Sequence, residues 1–233
     1  NKVDALLISH PHQDHFGLME KVGRDVPVHI GQVTLDLINA TNLFRGLPPA
    51  SGNFRLFNAW KHFKIADTFT VYPYLMDHSS PEAFAFTIEA DNKRVFYSGD
   101  YRATGSKAKV YYRLLDDLPK NTDLFLTEGT MIRRSFQKYP DEESVHDAIN
   151  EIIGNQTNTT FVISSAQNID RLVSVFRACC KNNKQLVIDV YNAWVLDMVK
   201  KKSDRLPIMD WDNIVVYKHP NQIKKISGDE YSI

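Results

Sequence analysis

Apolar residues in this chain fall into short runs separated by polar turns, a pattern typical of an α/β protein. The run Val3–Ile8 predicts a buried strand, and helical character begins at residues 16–20. Two more strands are predicted at residues 83–90 and 94–98, with a hairpin-like turn at residues 91–93 between them. The chemically distinctive residues of this half follow the ends of such strands.

The second half of the chain alternates between helical and strand-like patterns. We predict helices at residues 141–153 (ended by Gly154), 168–182 and 191–202, and strands at residues 160–164, 185–190 and 213–217. Such alternation favours a parallel sheet covered by helices. The polar segment at residues 133–140 is the predicted boundary between a domain at residues 1–135 and a domain at residues 136–233.

Six residues after the first strand carry the strongest chemical signal. They read His10-Pro11-His12-Gln13-Asp14-His15. Residues two apart in an extended segment point the same way, so His10 and His12 can bind one metal ion. Asp14 and His15 can turn towards a second ion, and imidazole and carboxylate ligands suit zinc. Surface histidines without any ligand are the plainer alternative.

This run matches the HxHxDH signature of the metallo-β-lactamase superfamily, so the chain resembles that family. The family adds a histidine and then an aspartate from later strands, and His78 and Asp100 occur in that order. Taken alone, His78 is typical of a loop histidine and Asp100 of a turn residue. The resemblance implies one metal ion bound by His10, His12 and His78, and another bound by Asp14, His15 and a shared Asp100.

Further motifs resemble one branch of the superfamily, the β-CASP nucleases. They are Gly-Asp-Tyr-Arg at residues 99–102 and the strand end at residues 123–130, where Glu128 fits the acidic residue of that branch. The resemblance implies an αββα-type metallo-β-lactamase half, incomplete at its N-terminus, followed by an inserted α/β cap domain. Because the metal signature begins at residue 10, the chain is expected to be an internal fragment. Glu128 is expected to orient a histidine ligand or a proton donor outside this chain.

The implied ligand set predicts hydrolytic chemistry. Two Zn²⁺ ions, or Mn²⁺ ions, would activate a hydroxide, with Asp100 bridging the ions and Asp14 orienting the nucleophile. The leading hypothesis is a nuclease that cleaves phosphodiester bonds of RNA or single-stranded DNA, with Asp14, Asp100 and Glu128 as catalytic residues. The alternatives are a metallo-hydrolase of small esters, lactones or thioesters, and a non-catalytic homologue.

The amino-acid composition restricts how this protein could bind nucleic acid and where it could act. The 233 residues carry 28 acidic and 28 basic side chains, and a net charge of zero argues mildly against a broad, non-specific grip on nucleic acid. No apolar window approaches the ~18 residues of a membrane helix, so we expect a cytoplasmic protein without membrane association. The adjacent Cys179 and Cys180 are poorly placed for a disulfide. We interpret His146 and His219 as ordinary residues rather than metal ligands.

Overall fold

The chain folds into two compact units, one formed by residues 1–35 and 50–139 and the other by residues 36–49 and 140–233. The computed structural model describes residues 3–134, 140–201, 206–207 and 211–227. Residues 135 and 136 lie outside the described residues, so the domain limits expected there stay a prediction.

The first unit is built mainly from strands. They are β1 (Leu6–Leu7), β2 (Pro27–Gly31), β3 (Asn53–Phe57), β4 (Phe63–Ile65), β5 (Phe69–Leu75), β6 (Phe84–Ala90), β7 (Lys93–Tyr97) and β8 (Leu124–Leu126). β1, β2 and β3 form a parallel sheet with β2 in the middle. β4 to β8 form a mixed sheet in sequence order, in which β4 to β7 pair antiparallel and β7 and β8 pair parallel. The helices α1 (Gln13–Phe16) and α3 (Ala108–Asp117) belong to this unit, and α2 (Gln32–Arg45) begins in it.

The core of the first unit lies on both faces of β6. Phe84 and Phe86 pack on one face against a cluster that includes Phe57 of β3, so the two sheets face each other. Ala85 points to the opposite face and packs against a cluster that includes Leu114 of α3. This layering of helix on sheet on sheet confirms the predicted α/β fold.

The predicted hairpin is confirmed. β6 and β7 pair antiparallel up to Ala90 and Lys93, and Asp91 and Asn92 form the turn between them with φ angles of 50° and 58°. Positive φ at both central residues is what a tight two-residue hairpin turn requires, and Asp and Asn tolerate it better than most residues.

The second unit alternates helices and strands. They are α4 (Glu142–Asn155), α5 (Ile169–Lys181), β9 (Leu186–Asp189), α6 (Val190–Lys200), β10 (Ile214–Tyr217) and α7 (Pro220–Ile226). β9 and β10 pair parallel, as the alternating pattern predicted. Ile153 of α4 packs against Val175 and Ala178 of α5, so these helices share a core.

Two local predictions for this unit are wrong. Residues 160–164 form no strand: Phe161 is 89% exposed and Ile163 is 100% exposed. The apolar run fits a strand locally, but a strand also needs a hydrogen-bonded neighbour, and this segment pairs with none of the described strands. Gly154 does not end α4, which continues to Asn155. Gly154 instead lies against the C-terminal end of α5, where an added Cβ would lie 2.9 Å from Oδ1 of Asn182, so a larger residue would require the Asn182 side chain to move.

The helices in the described part of the chain are all too short or too polar to span a lipid bilayer.

Candidate metal centre

Strand topology brings three polar segments to one edge of the β4–β8 sheet. β5 and β7 both pair antiparallel with β6, so they run in the same direction and end at the same edge. His78 follows the end of β5, and Asp100 follows the end of β7. The segment after β1 is held at this edge because the Phe84 N–H donates a hydrogen bond of 3.0 Å to the carbonyl oxygen of Ser9, next to His10.

Gly99 allows the chain to turn immediately before Asp100. Its φ angle is +56°, a region that residues with a Cβ rarely adopt. A Cβ would also lie 2.6 Å from the carbonyl oxygen of Phe84 and 3.4 Å from the Cβ of Ser9. Glycine therefore lets the Asp100 segment approach β6 and the histidine-rich segment closely.

A first group of potential metal donors comprises His10, His12 and His78. Their ligand atoms lie within 4.8 Å of one another. Nε2 of His78 lies 3.0 Å from Nδ1 of His12, and the His10 ring centroid lies 4.8 Å from each of the other two ring centroids. This is the set of histidines expected to share one metal ion.

A second group comprises His10, His15 and Asp100. Oδ1 of Asp100 lies 3.3 Å from Nε2 of His15, and Oδ2 lies 3.9 Å from Nε2 of His10. The two oxygens of this carboxylate therefore face two different histidines of the second group.

The surroundings of His10 indicate whether these residues suit a bound cation. Its side chain is fully buried, and its Nδ1 lies 3.0 Å from the hydroxyl of Ser9. Its Nε2, which faces both groups, makes no hydrogen bond within the described structure. A buried ring nitrogen without a partner is costly, and a cation would satisfy it. The residues present therefore fit one or more divalent metal ions.

The histidine protonation states also fit cation binding. Burial, followed by repulsion from His15, lowers the pKa of His10 to about 2. Burial, followed by repulsion from His12, lowers the pKa of His78 to about 3. Burial also lowers the pKa of His12. These imidazoles are therefore neutral near pH 7, and neutral imidazole is the form that binds metals.

The pKa of Asp100 shifts in the opposite direction from those of the histidines. Burial raises it and Glu128 adds to the rise, whereas attraction to His15 opposes it. Burial thus disfavours the charged form of this carboxylate, and a nearby cation would stabilise it.

Asp14 and Glu128 lie outside both groups. The Asp14 side chain is 79% exposed, and its Oδ2 lies 3.6 Å from Nε2 of His15. Glu128 accepts a hydrogen bond of 2.8 Å from the Tyr101 N–H, and its own N–H donates to the hydroxyl of Ser98. Glu128 therefore holds the turn that contains Asp100. The roles predicted for both carboxylates stay predictions.

His146 and His219, the histidines of the second unit, make contacts within that unit. Nδ1 of His146 lies 3.1 Å from the carbonyl oxygen of Ser174, which ties α4 to α5. Glu143 and Asp147 lie near enough to form a third group of donor atoms with His146, but both are exposed and Glu143 pairs with Arg177. At the start of α7, Nδ1 of His219 accepts a hydrogen bond from the N–H of Asn221.

Four residues near this centre have structural roles that the sequence did not predict. Ser9 contacts His10, while Asp77, Arg102 and Lys107 contact the backbone around His78 and Asp100. A carboxylate between apolar Met76 and His78 was the available signal for Asp77. Without their tertiary contacts, Ser9 and Lys107 look like ordinary polar loop residues, and Arg102 stands out only as the last residue of the Gly-Asp-Tyr-Arg motif.

A comparison with known protein families identifies the superfamily of this chain. A model described as the beta-lactamase superfamily domain matches residues 1–154. The chain belongs to this superfamily. The match covers all six predicted metal ligands, and it agrees with the layered fold and with the resemblance carried by the HxHxDH motif.

Curated proteins similar to this chain are named ribonuclease J. The chain is 26% identical over 206 residues to the Mycoplasma genitalium protein, covering 81% of this chain and 34% of that protein. It is 23% identical over 200 residues to the Thermus thermophilus protein, covering 81% of this chain and 35% of the relative. The chain thus spans about a third of the length of these relatives.

A solved structure shares the fold. It is described as a protein of unknown function from Enterococcus faecalis V583 and superposes with a TM-score of 0.74 at 16% identity. The superposition covers 95% of this chain and 59% of the other.

Proposed function

We propose that this protein is a metal-dependent hydrolase that cleaves phosphodiester bonds of RNA or single-stranded DNA. The observation that carries the proposal is the convergence of two donor groups that share His10, with the Asp100 carboxylate close to both His10 and His15. Similarity to proteins named ribonuclease J supports nucleic acid as the substrate.

Two cations are proposed to bind at these residues, with the ligand sets expected from the sequence. Asp14, which lies outside the second donor group but beside His15, completes the second set. His10, His12 and His78 hold the first; Asp14, His15 and Asp100 hold the second, with Asp100 shared. Zinc suits the histidine-rich set, and the mixed set also accepts manganese. A bound pair of such ions supplies Lewis acidity towards phosphoryl oxygens and lowers the pKa of attacking water.

The protein's own residues orient the reaction. Asp14 is mostly exposed beside His15, so its carboxylate accepts a hydrogen bond from the attacking water. Glu128 accepts a hydrogen bond from the Tyr101 N–H and so keeps the Asp100 carboxylate directed at His10 and His15. Burial of His10 keeps its imidazole neutral and its Nε2 available as a ligand.

The proposal is tested by offering the intact protein three substrates. Labelled RNA, single-stranded DNA of the same sequence and an acyl lactone are each incubated with protein loaded with Zn²⁺ or Mn²⁺, and with protein treated with a chelator. We expect fragments of RNA or DNA that disappear on chelation and in His12→Ala. The matched control His62→Ala, which removes an exposed histidine, should cleave like the wild type.

Two outcomes contradict the proposal. Hydrolysis of the lactone without cleavage of nucleic acid would identify a small-molecule hydrolase that shares the site. A wild-type protein that neither binds metal nor hydrolyses any of the three substrates would identify a non-catalytic homologue.

A further inference from the structure

Two loops carry ligands that must converge on the same cations. The His78 loop, residues 76–83, connects β5 to β6, and the Asp100 loop, residues 98–107, connects β7 to α3. Each ligand lies outside regular secondary structure, so strand pairing alone does not fix the distance between them. Contacts between the two loops must set that distance.

Asp77 joins the two loops through backbone and side chain. Its carbonyl oxygen accepts a hydrogen bond of 2.8 Å from the Arg102 N–H, and its Oδ2 accepts one of 2.8 Å from the Gly105 N–H. Oδ1 of Asp77 lies 3.5 Å from Nε of Arg102. The residue directly before His78 is therefore tied to the residue two positions after Asp100.

Burial makes this ion pair unusual. The Asp77 side chain is 0% exposed, and a buried carboxylate persists only where it is paired and hydrogen-bonded. Gly105 packs so closely that a Cβ at this position would clash with Oδ1 of Asp77 and with the guanidinium of Arg102. The geometry of the pair is therefore tightly constrained.

Two cationic side chains hold the backbone of the His78 loop. Nη2 of Arg102 lies 3.5 Å from the carbonyl oxygen of His78. Nζ of Lys107 donates hydrogen bonds to the carbonyl oxygens of Ser80 (2.6 Å) and Pro81 (3.0 Å). Both cations come from the Asp100 loop, so every one of these bonds crosses between the loops.

We propose that Asp77, Arg102 and Lys107 are positioning residues that hold His78 and Asp100 at the separation needed for metal binding. The inference rests on the proposed metal-dependent function. The three residues do not belong to the donor groups found among the described residues, so they act through the ligands next to them.

The direction in which metal affinity changes on replacing Arg102 or Lys107 distinguishes a positioning role from a purely electrostatic one. Arg102 and Lys107 carry positive charge close to His78, and positive charge repels a bound cation. Removing either charge would strengthen metal binding if electrostatics alone mattered. A positioning role predicts weaker binding, because the ligands lose their fixed geometry.

The test measures zinc affinity by competition with a chromophoric chelator, starting from the metal-free intact protein. We expect Arg102→Ala and Lys107→Ala to weaken affinity by about 10–100-fold, the usual effect of losing a group that orients a ligand. Arg102→Lys keeps the charge and should recover much of the loss. Lys109→Ala removes the same charge at an exposed position and should match the wild type.

Two further readouts separate positioning from folding. Absorption spectra of the Co²⁺-substituted protein should change in Arg102→Ala, because they report ligand geometry, and should return towards the wild type in Arg102→Lys. Thermal melting of each metal-free variant shows whether it is folded. Should Arg102→Ala not fold, Lys107→Ala provides the same comparison.

The possible results have distinct meanings. Unchanged or tighter zinc binding in folded Arg102→Ala and Lys107→Ala, with wild-type Co²⁺ spectra, would overturn the positioning role alone. A wild-type protein that binds no zinc would overturn the proposed function as well.

Discussion

Asp100 is the residue on which the proposed centre depends most. Its two carboxylate oxygens face different histidines, and Gly99 and Phe84 define its position. The sequence predicted Asp100 and His78 because their order after the HxHxDH run matches a known pattern. It could not predict Asp77 or Ser9, because their roles arise from contacts with residues distant in sequence or from burial.

Asp100→Asn tests the shared ligand. The amide keeps the size of the side chain but loses its charge, so metal content and turnover should both fall by orders of magnitude. Metal content is measured by inductively coupled plasma mass spectrometry and turnover with labelled RNA. A fully active variant with wild-type metal content would exclude the bridging role.

Glu128→Gln tests a residue that holds the Asp100 turn without joining either donor group. The amide oxygen can still accept the Tyr101 N–H, so metal content should change little. Turnover should fall by about 10–100-fold, because the negative charge beside Asp100 is lost. Loss of bound metal comparable to that of Asp100→Asn would make Glu128 a direct ligand instead.

At the scale of secondary-structure elements, the sequence predicted the segments in which apolar residues recur at regular spacing or in which a turn signal is strong. The β6–β7 hairpin and α5 are of this kind, and Asn168 caps α5 by accepting a hydrogen bond from the Arg171 N–H. The strand expected at residues 160–164 is absent because pairing depends on a neighbouring strand, which a local pattern does not reveal. The strands between residues 27 and 75 were not predicted from the sequence.

Asp141→Ala tests the start of α4. Oδ1 of Asp141 accepts hydrogen bonds from the N–H and the hydroxyl of Ser144, so its loss should lower the free energy of unfolding of the second unit by about 1 kcal/mol. Urea denaturation followed by circular dichroism measures this change. Glu151→Ala, at an exposed position within the same helix, should have little effect; an equal loss there would show that the cap contributes nothing specific.

At the scale of the whole molecule, the superfamily followed from residues that lie close together in sequence, whereas the place of residues 36–49 has no such local signal. Residues 36–49 belong to the second unit. There the hydroxyl of Thr41 lies 3.0 Å from that of Tyr191, and the rings of Phe44 and Tyr191 lie 5.0 Å apart. Contacts across about 150 residues of sequence give no local signal.

Metal binding should stabilise the first unit, which carries the donor groups. A ligand that binds only the folded state adds about 2.7 kcal/mol per site at a free concentration 100 times its Kd. We therefore expect Zn²⁺ to raise the melting temperature of the unfolding transition assigned to the first unit, and a chelator to reverse the shift. Calorimetry of wild type and His12→Ala measures it; equal shifts in both would place zinc elsewhere.

The metal content of the intact protein tests the central claim most directly. After loading with Zn²⁺ and extensive dialysis, native mass spectrometry should find two ions per chain in the wild type, in His146→Ala and in His219→Ala. His78→Ala should lose an ion, because it removes one of three histidines proposed to bind the same cation. A wild-type protein without bound metal, or a His78→Ala protein with unchanged content, would contradict the account.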